Sequence, residues 1–302
     1  MRSIVVGVRG DSDLDPALDF GLSEAVRRRI PLIAVHGYEV LGSSEWPPVL
    51  SPHRMQTRRE AAQRTLDHAL ELAVPRVPGA QTVAVQTRVI EGPPAECLLS
   101  LATHSALTVV GRRGGGPVRR SVRGSVSAAV LRGSWAPVAL VPHDAPAVPD
   151  RCFGSRVVVG LDGSPASLSA LEWGVAQAQE WGSVLVPVVV STLKGRAPSA
   201  LTERTSDLTA AVWSAVRDAG GTSLEVHPHF LEGQPAACLM EFTEPEDLLV
   251  VGSRGRGGVS SLLLGSTGLT VAEQGCSSVV VVRDGQARRE THQRRGARVA
   301  LA

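Results

Sequence analysis

Two glycine-spaced segments hold the residues whose types and spacing could do chemistry. One reads Gly252-Ser253-Arg254-Gly255, then nine residues, then Gly265-Ser266. The other reads Gly111-Arg112-Arg113-Gly114, then nine residues, then Gly124-Ser125. The spacing G-x2-G-x9-G-S is identical, although the intervening residues differ. Each segment follows a Val-Val run that reads as a strand, and each Gly-Ser pair stands where a helical pattern begins. Glycine at a strand's carboxyl end lets the backbone approach an anion with no Cβ in the way. A helix start adds unpaired N–H groups and the positive end of the helix dipole, and the serine hydroxyl adds one more donor. Phosphate binding is the chemistry this pattern suits. A glycine-rich turn followed by an N-cap is the alternative. No GxxxxGK[ST] loop is present, and no GxGxxG follows the first strand. No nucleophile–base pair stands beside either loop, so no catalytic residue is assigned.

The elements that must position these loops occur twice. Ile4-Val5-Val6-Gly7-Val8-Arg9-Gly10 recurs as Val157-Val158-Val159-Gly160-Leu161-Asp162-Gly163, and Glu91-Gly92-Pro93-Pro94-Ala95-Glu96-Cys97 as Glu232-Gly233-Gln234-Pro235-Ala236-Ala237-Cys238. The offset is 153 residues at the front and 141 at the back. The first copy thus carries 12 extra residues, placed here at Trp46 to His53. A repeat of roughly 140 residues is a duplicated domain rather than a solenoid unit. The expected division is domain 1 over 1–143, a linker over 144–153, domain 2 over 154–284 and a disordered basic tail over 285–302.

Each copy alternates strand and helix patterns. In the second, strands are expected at 156–160, 184–190, 223–230, 247–252 and 278–283, and helices at 165–181, 206–219, 235–243 and 266–274. Continuous Val/Leu runs suit strands covered by helices on both faces. The fold class is α/β: two tandem doubly wound domains, each an open five-stranded parallel sheet.

Composition narrows the class. Of 302 residues, 43% are apolar and 20% charged, as in globular proteins, and no apolar run is long enough to cross a bilayer. With no signal-peptide pattern, the expected location is cytoplasmic. Cys97, Cys152, Cys238 and Cys276 are isolated and form no CxxC pair, and His227 and His229 share a strand face without further ligands, so no metal site is assigned. The net charge of +2 is uneven: the last 20 residues hold six arginines against Asp284 and Glu290. One tyrosine and four phenylalanines leave little for base stacking, which argues against nucleic acid as a partner.

Val158-Val159-Gly160-Leu161-Asp162-Gly163-Ser164, the repeated Glu-Gly-x-Pro-Ala and G-x2-G-x9-G-S together resemble the universal stress protein family in its tandem two-domain form. The resemblance covers the chain except the linker and the arginine-rich tail. It implies ATP as ligand, with or without Mg²⁺, and a stress-response role exerted through the bound state rather than by catalysis. It also implies self-association, between the two domains through their last strands and between chains as a homodimer. Carried over by residue, Asp162 matches the aspartate that touches the adenosine end of the nucleotide, and Val188 the second-strand residue whose backbone meets the adenine edge. Gly252, Gly255, Gly265 and Ser266 match the phosphate loop. In the first copy Val35, Gly111, Gly114, Gly124 and Ser125 match in the same way, but Arg9 stands in place of the aspartate, with Asp11 aligned to Ser164. A nucleotide-dependent enzyme of the same architecture and a non-binding scaffold are the rival readings. The enzyme reading requires an SGGxDS loop or an HxGH pair after the first strand, and neither is present.

Overall fold

The computed structural model describes residues 2–10, 13–38, 52–112, 125–146, 156–192, 198–219, 224–255 and 264–285. Most of the extra segment at Trp46–His53, part of the 144–153 linker and the basic tail past Gly285 lie outside them. The chain divides into two units, Met1–Asp150 and Arg151–Ala302.

The first unit runs β1 (Ile4–Gly7), α1 (Pro16–Arg28), β2 (Leu32–Tyr38), α2 (Pro52–Arg76), β3 (Val85–Glu91), α3 (Pro94–Ala102), β4 (Leu107–Arg112), α4 (Ser125–Gly133) and β5 (Val138–Pro142). A short 3-10 turn, Ala80–Thr82, precedes β3. The second runs β6 (Arg156–Leu161), α5 (Pro165–Trp181), β7 (Val184–Ser191), α6 (Pro198–Asp218), β8 (His229–Glu232), α7 (Pro235–Phe242), β9 (Leu248–Gly252), α8 (Ser266–Gln274) and β10 (Ser278–Val282). Within the first unit the strands lie in the order β3-β2-β1-β4-β5, and within the second β8-β7-β6-β9-β10, every pair parallel. Each is the expected doubly wound sheet.

Burial explains the order. Inner strands are apolar runs with both faces covered: Ile4, Val5, Val6, Leu107 and Val109 are fully buried, as are Val157, Val158, Val159, Leu248, Leu249 and Val250. At one end of each order, β3 (Val-Gln-Thr-Arg-Val-Ile-Glu) and β8 (His-Phe-Leu-Glu) carry polar residues and are more exposed, whereas β5 and β10 at the other end are buried throughout. The repeated Glu-Gly-x-Pro-Ala turn joins β3 to α3 and β8 to α7. Gly92 (φ 134°) and Gly233 (φ 144°) make the turn, and a Cβ at Gly233 would stand 2.7 Å from the Cys238 sulfur. The matched cysteines thus pack beneath matched glycines.

Two boundaries in the second unit differ from the sequence expectation. The third strand, expected at 223–230, is β8 at His229–Glu232, preceded by an isolated pairing of Val226 with Leu185. Pro187 of β7 lies opposite the gap, and its missing N–H, on the side that faces β8, interrupts the ladder. The second helix begins at Pro198, eight residues before the expected Ser206. Of the 12 extra residues in the first unit, seven fall in the connector before α2, which has 13 residues against six before α6, and four in α2 itself.

Candidate functional site

The crevice of the second unit is built at the carboxyl ends of β6, β7 and β9. After Leu161 the chain turns through Asp162-Gly163-Ser164 into α5. Asp162 Oδ1 accepts the Ser164 amide at 2.9 Å, and the Ser167 hydroxyl accepts the Gly163 amide at 3.1 Å. Ser164 caps α5, its Oγ accepting the Ser167 amide at 3.2 Å, and the same hydroxyl donates to the Arg254 carbonyl at 3.0 Å. One side chain therefore fixes the loop after β6 to the loop after β9. Sequence reasoning saw only the cap. Ser164→Ala is expected to lower stability by about 1–2 kcal/mol, as for a lost N-cap, which a denaturant midpoint would show as a shift without a change in slope.

Close approach accounts for glycine at two positions of the spacing, Gly252 and Gly255. A Cβ at Gly252 would lie 2.7 Å from Ala166 C and Ser167 N, backbone atoms of α5. A Cβ at Gly255 would lie 2.8 Å from Asp162 Oδ2. The Gly265 amide donates to the Ser253 carbonyl at 2.7 Å, which brings the far end of the nine-residue insertion back against its start. Gly265 (φ −74°, ψ 156°) is the N-cap of α8 and offers its first amides no side-chain acceptor, unlike Ser164 on α5 and Asp15 on α1. Ser266 is exposed at the first helical position. Asp162, Gly252, Gly255, Gly265 and Ser266 are thus brought together.

Val188 is not with them. It is fully buried and pairs with Gly160 on one side and His229 on the other. Leu185 exchanges both of its backbone bonds with the β8 side, through the Glu225 carbonyl and the His227 amide, and Ser191 accepts there from Gly233. By alternation, the backbone groups of Val186, Val188 and Val190 face β6. Because β6 ends at Leu161, the Val188 groups are used in the ladder, and Val190 is the residue whose carbonyl faces the crevice. The first unit repeats this: the Val35 carbonyl accepts the Val8 amide at 2.9 Å, leaving Gly37 at the strand end. Val35 and Val188 therefore sit two residues too deep in the sheet to present backbone to a ligand.

The first unit carries Arg9 where the second has Asp162. A Cβ at Gly111 would lie 4.0 Å from Arg9 Nε and 3.8 Å from Ala17 Cβ, so the guanidinium reaches over the start of the loop. Asp11, which the sequence offset sets against Ser164, lies outside the described residues. The capping role belongs to Asp15, whose Oδ1 accepts the Ala17 and Leu18 amides at 3.1 and 3.2 Å. Pro16 follows it as Pro165 follows Ser164, after a strand–helix connection of eight residues against three. Burial pushes the Asp15 carboxyl above its ordinary range, against the pull of the Leu18 amide and the Arg9 charge. Gly114 and Gly124 lie outside the described residues, and of Ser125 only its place at the start of α4 is described. Two cavities lie elsewhere in this unit: one of about 440 Å³ beside Gly10, Asp13, Arg64 and His68, and one of about 610 Å³ beside Tyr38, Arg59 and Glu91. Neither is lined by the end of β4. Among the described residues, no three His, Cys, Asp or Glu side chains are grouped as metal ligands.

The family model described as the universal stress protein family matches residues 1–142 and 155–283. The chain belongs to that family. A universal stress protein of Mycobacterium tuberculosis is 30% identical over 289 residues, covering 93% of this chain and 97% of its own. A second from the same organism is 29% identical over 301 residues, covering 93% and 96%. Among solved structures, a universal stress protein from Archaeoglobus fulgidus shares the fold, with a TM-score of 0.69 at 22% identity over 94% of this chain and 98% of its own. No helix among the described residues is long and apolar enough to cross a membrane.

Proposed function

We propose that this universal stress protein binds ATP in the crevice of its second unit and acts in the stress response through its nucleotide-bound state, in the cytoplasm and without rapid turnover. The observation that carries this reading is the convergence of Asp162 with Gly252, Gly255 and the start of α8 at Gly265–Ser266, which has no side-chain cap. A carboxylate accepts hydrogen bonds from ribose hydroxyls, and the glycine loop and helix start supply amides for phosphates. The backbone of Val190, and of Gly37 in the first unit, is the edge offered to the base. Mg²⁺ would accompany the phosphates as a counter-ion. Among the described residues no general base stands at the phosphate end, which supports holding a nucleotide rather than rapid hydrolysis.

Calorimetric titration of the intact protein with ATP tests the proposal directly. Binding is expected, and its absence would leave the protein a scaffold. Ser266→Ala is expected to weaken ATP binding, because a hydrogen bond to a charged phosphate is worth about 1.5–3 kcal/mol, or roughly 10- to 100-fold in affinity. Product analysis after incubation with ATP distinguishes holding from turnover.

A further inference from the structure

The strand order lays the features of the second crevice in a line. Passing from β7 to β6, β9 and β10, the carboxyl edge presents Val190, then Asp162, then Gly252–Gly255, then Arg283. Neighbouring strands lie about 4.8 Å apart, so Arg283 stands roughly 10 Å across the edge from Asp162 and one strand beyond the glycine loop. A nucleotide with its base at β7 and its ribose at Asp162 runs its phosphates over β9 toward β10. Arg283 is fixed there by backbone: Val282 pairs with Gly252, and the Ser253 amide donates to the Val282 carbonyl at 2.7 Å. Ser253 and Arg283 are therefore neighbours across the strands. Gly252 faces α5, so alternation turns Ser253 and Arg283 toward the face that carries α8, whose first turn begins at the loop.

Arg283 is half-buried, and burial first, then the nearby Arg254, lowers its pKa. Two guanidinium groups held this close favour an anion between them, and a terminal phosphate brings the most negative charge. The first unit is arranged differently. There the same cross-strand pair is Arg112 with Pro142: the arginine sits on the loop strand, 8% exposed, and the last strand offers a proline.

Resting on the ATP reading above, we propose that Arg283, with Arg254, holds the terminal phosphate, so that the second unit distinguishes nucleotides by phosphate number and favours the triphosphate. The test is calorimetry of the intact protein with ATP, ADP and AMP, on the parent and on Arg283→Gln, Arg283→Lys and Arg254→Gln, with melting curves as a folding check. Arg283→Gln is expected to weaken ATP about tenfold, as for one lost charge-assisted contact, while AMP stays within about twofold. Arg283→Lys should recover part of the loss. A parent that binds ATP, with an ATP-to-AMP preference unchanged in Arg283→Gln, overturns this inference alone. Equal losses for all three nucleotides overturn it too, since they mark a structural role. If Arg283→Gln fails to fold, the same preference read in Arg283→Lys and Arg254→Gln decides. A parent that binds none of the three overturns the ATP reading, and this inference with it.

Discussion

Asp162→Ala is expected to remove the tight component of ATP binding from the intact protein. Asp162 and Arg9 each stand two residues after a matched glycine, Gly160 or Gly7, and each precedes a glycine. The Asp162 carboxylate stands over Gly255 in the crevice, whereas Arg9 reaches over Gly111. A carboxylate accepts from both ribose hydroxyls; a guanidinium has five donors and no acceptor. Hydrogen bonds to a charged group contribute about 1.5–3 kcal/mol each, so losing two weakens binding by roughly 100-fold or more. The second unit should therefore bind more tightly than the first, and Arg9→Asp should strengthen the first. Calorimetry on the parent and both variants resolves the two components. Equal sites in the parent, unmoved by Asp162→Ala, would falsify the assignment of this position.

Gly252→Val is expected to damage both binding and stability. The added Cβ meets backbone of α5 at 2.7 Å, and no side-chain rotation relieves a clash with backbone. Forcing atoms into a packed site costs about 1–3 kcal/mol, which lowers the melting temperature by roughly 2–12 °C for a domain of this size. It also pushes the loop off the α5 start, so ATP binding should fall below detection. Gly265→Ala is the control. Its Cβ would have only ordinary contacts at 3.5 Å, so stability should be nearly unchanged. A Gly252→Val protein that melts like the parent and still binds ATP would show that the approach of β9 to α5 does not shape the site.

Much of the fold was legible because the sheet is parallel and inner strands are apolar runs between helices. The helices at Pro165–Trp181 and Ser266–Gln274 match the sequence reading end to end, one with a Ser-Pro start and one with a Gly-Ser start. What failed did so where a single residue acted against a pattern. Pro187, on the neighbouring strand, divides a strand that alternation reads as continuous, and a longer connection in the first unit gives Asp15, not Asp11, the role of Ser164. Matching by offset also chose Val35 and Val188. Periodicity marks them as strand residues, but which neighbour their backbone serves depends on where the adjoining strand stops, and only the register shows that. The tie from Ser164 to Arg254 spans 90 residues and leaves no local signal.

The place of β1 has a consequence for the protein's synthesis. It is made before the other strands of its unit, yet it lies in the middle of its sheet, with Ile4 paired to Leu32 on one side and Leu107 on the other. A nascent chain holding only β1, β2 and β3 presents the far edge of β1 unpaired, together with the apolar face that α3 later covers. At translation rates of about 5–20 residues per second, roughly 5–20 s pass between the synthesis of β1 and that of β4, the strand that covers this edge. The first unit therefore cannot close its sheet while its own first half is being made, and during that interval the edge of β1 is open to other strands and to chaperones.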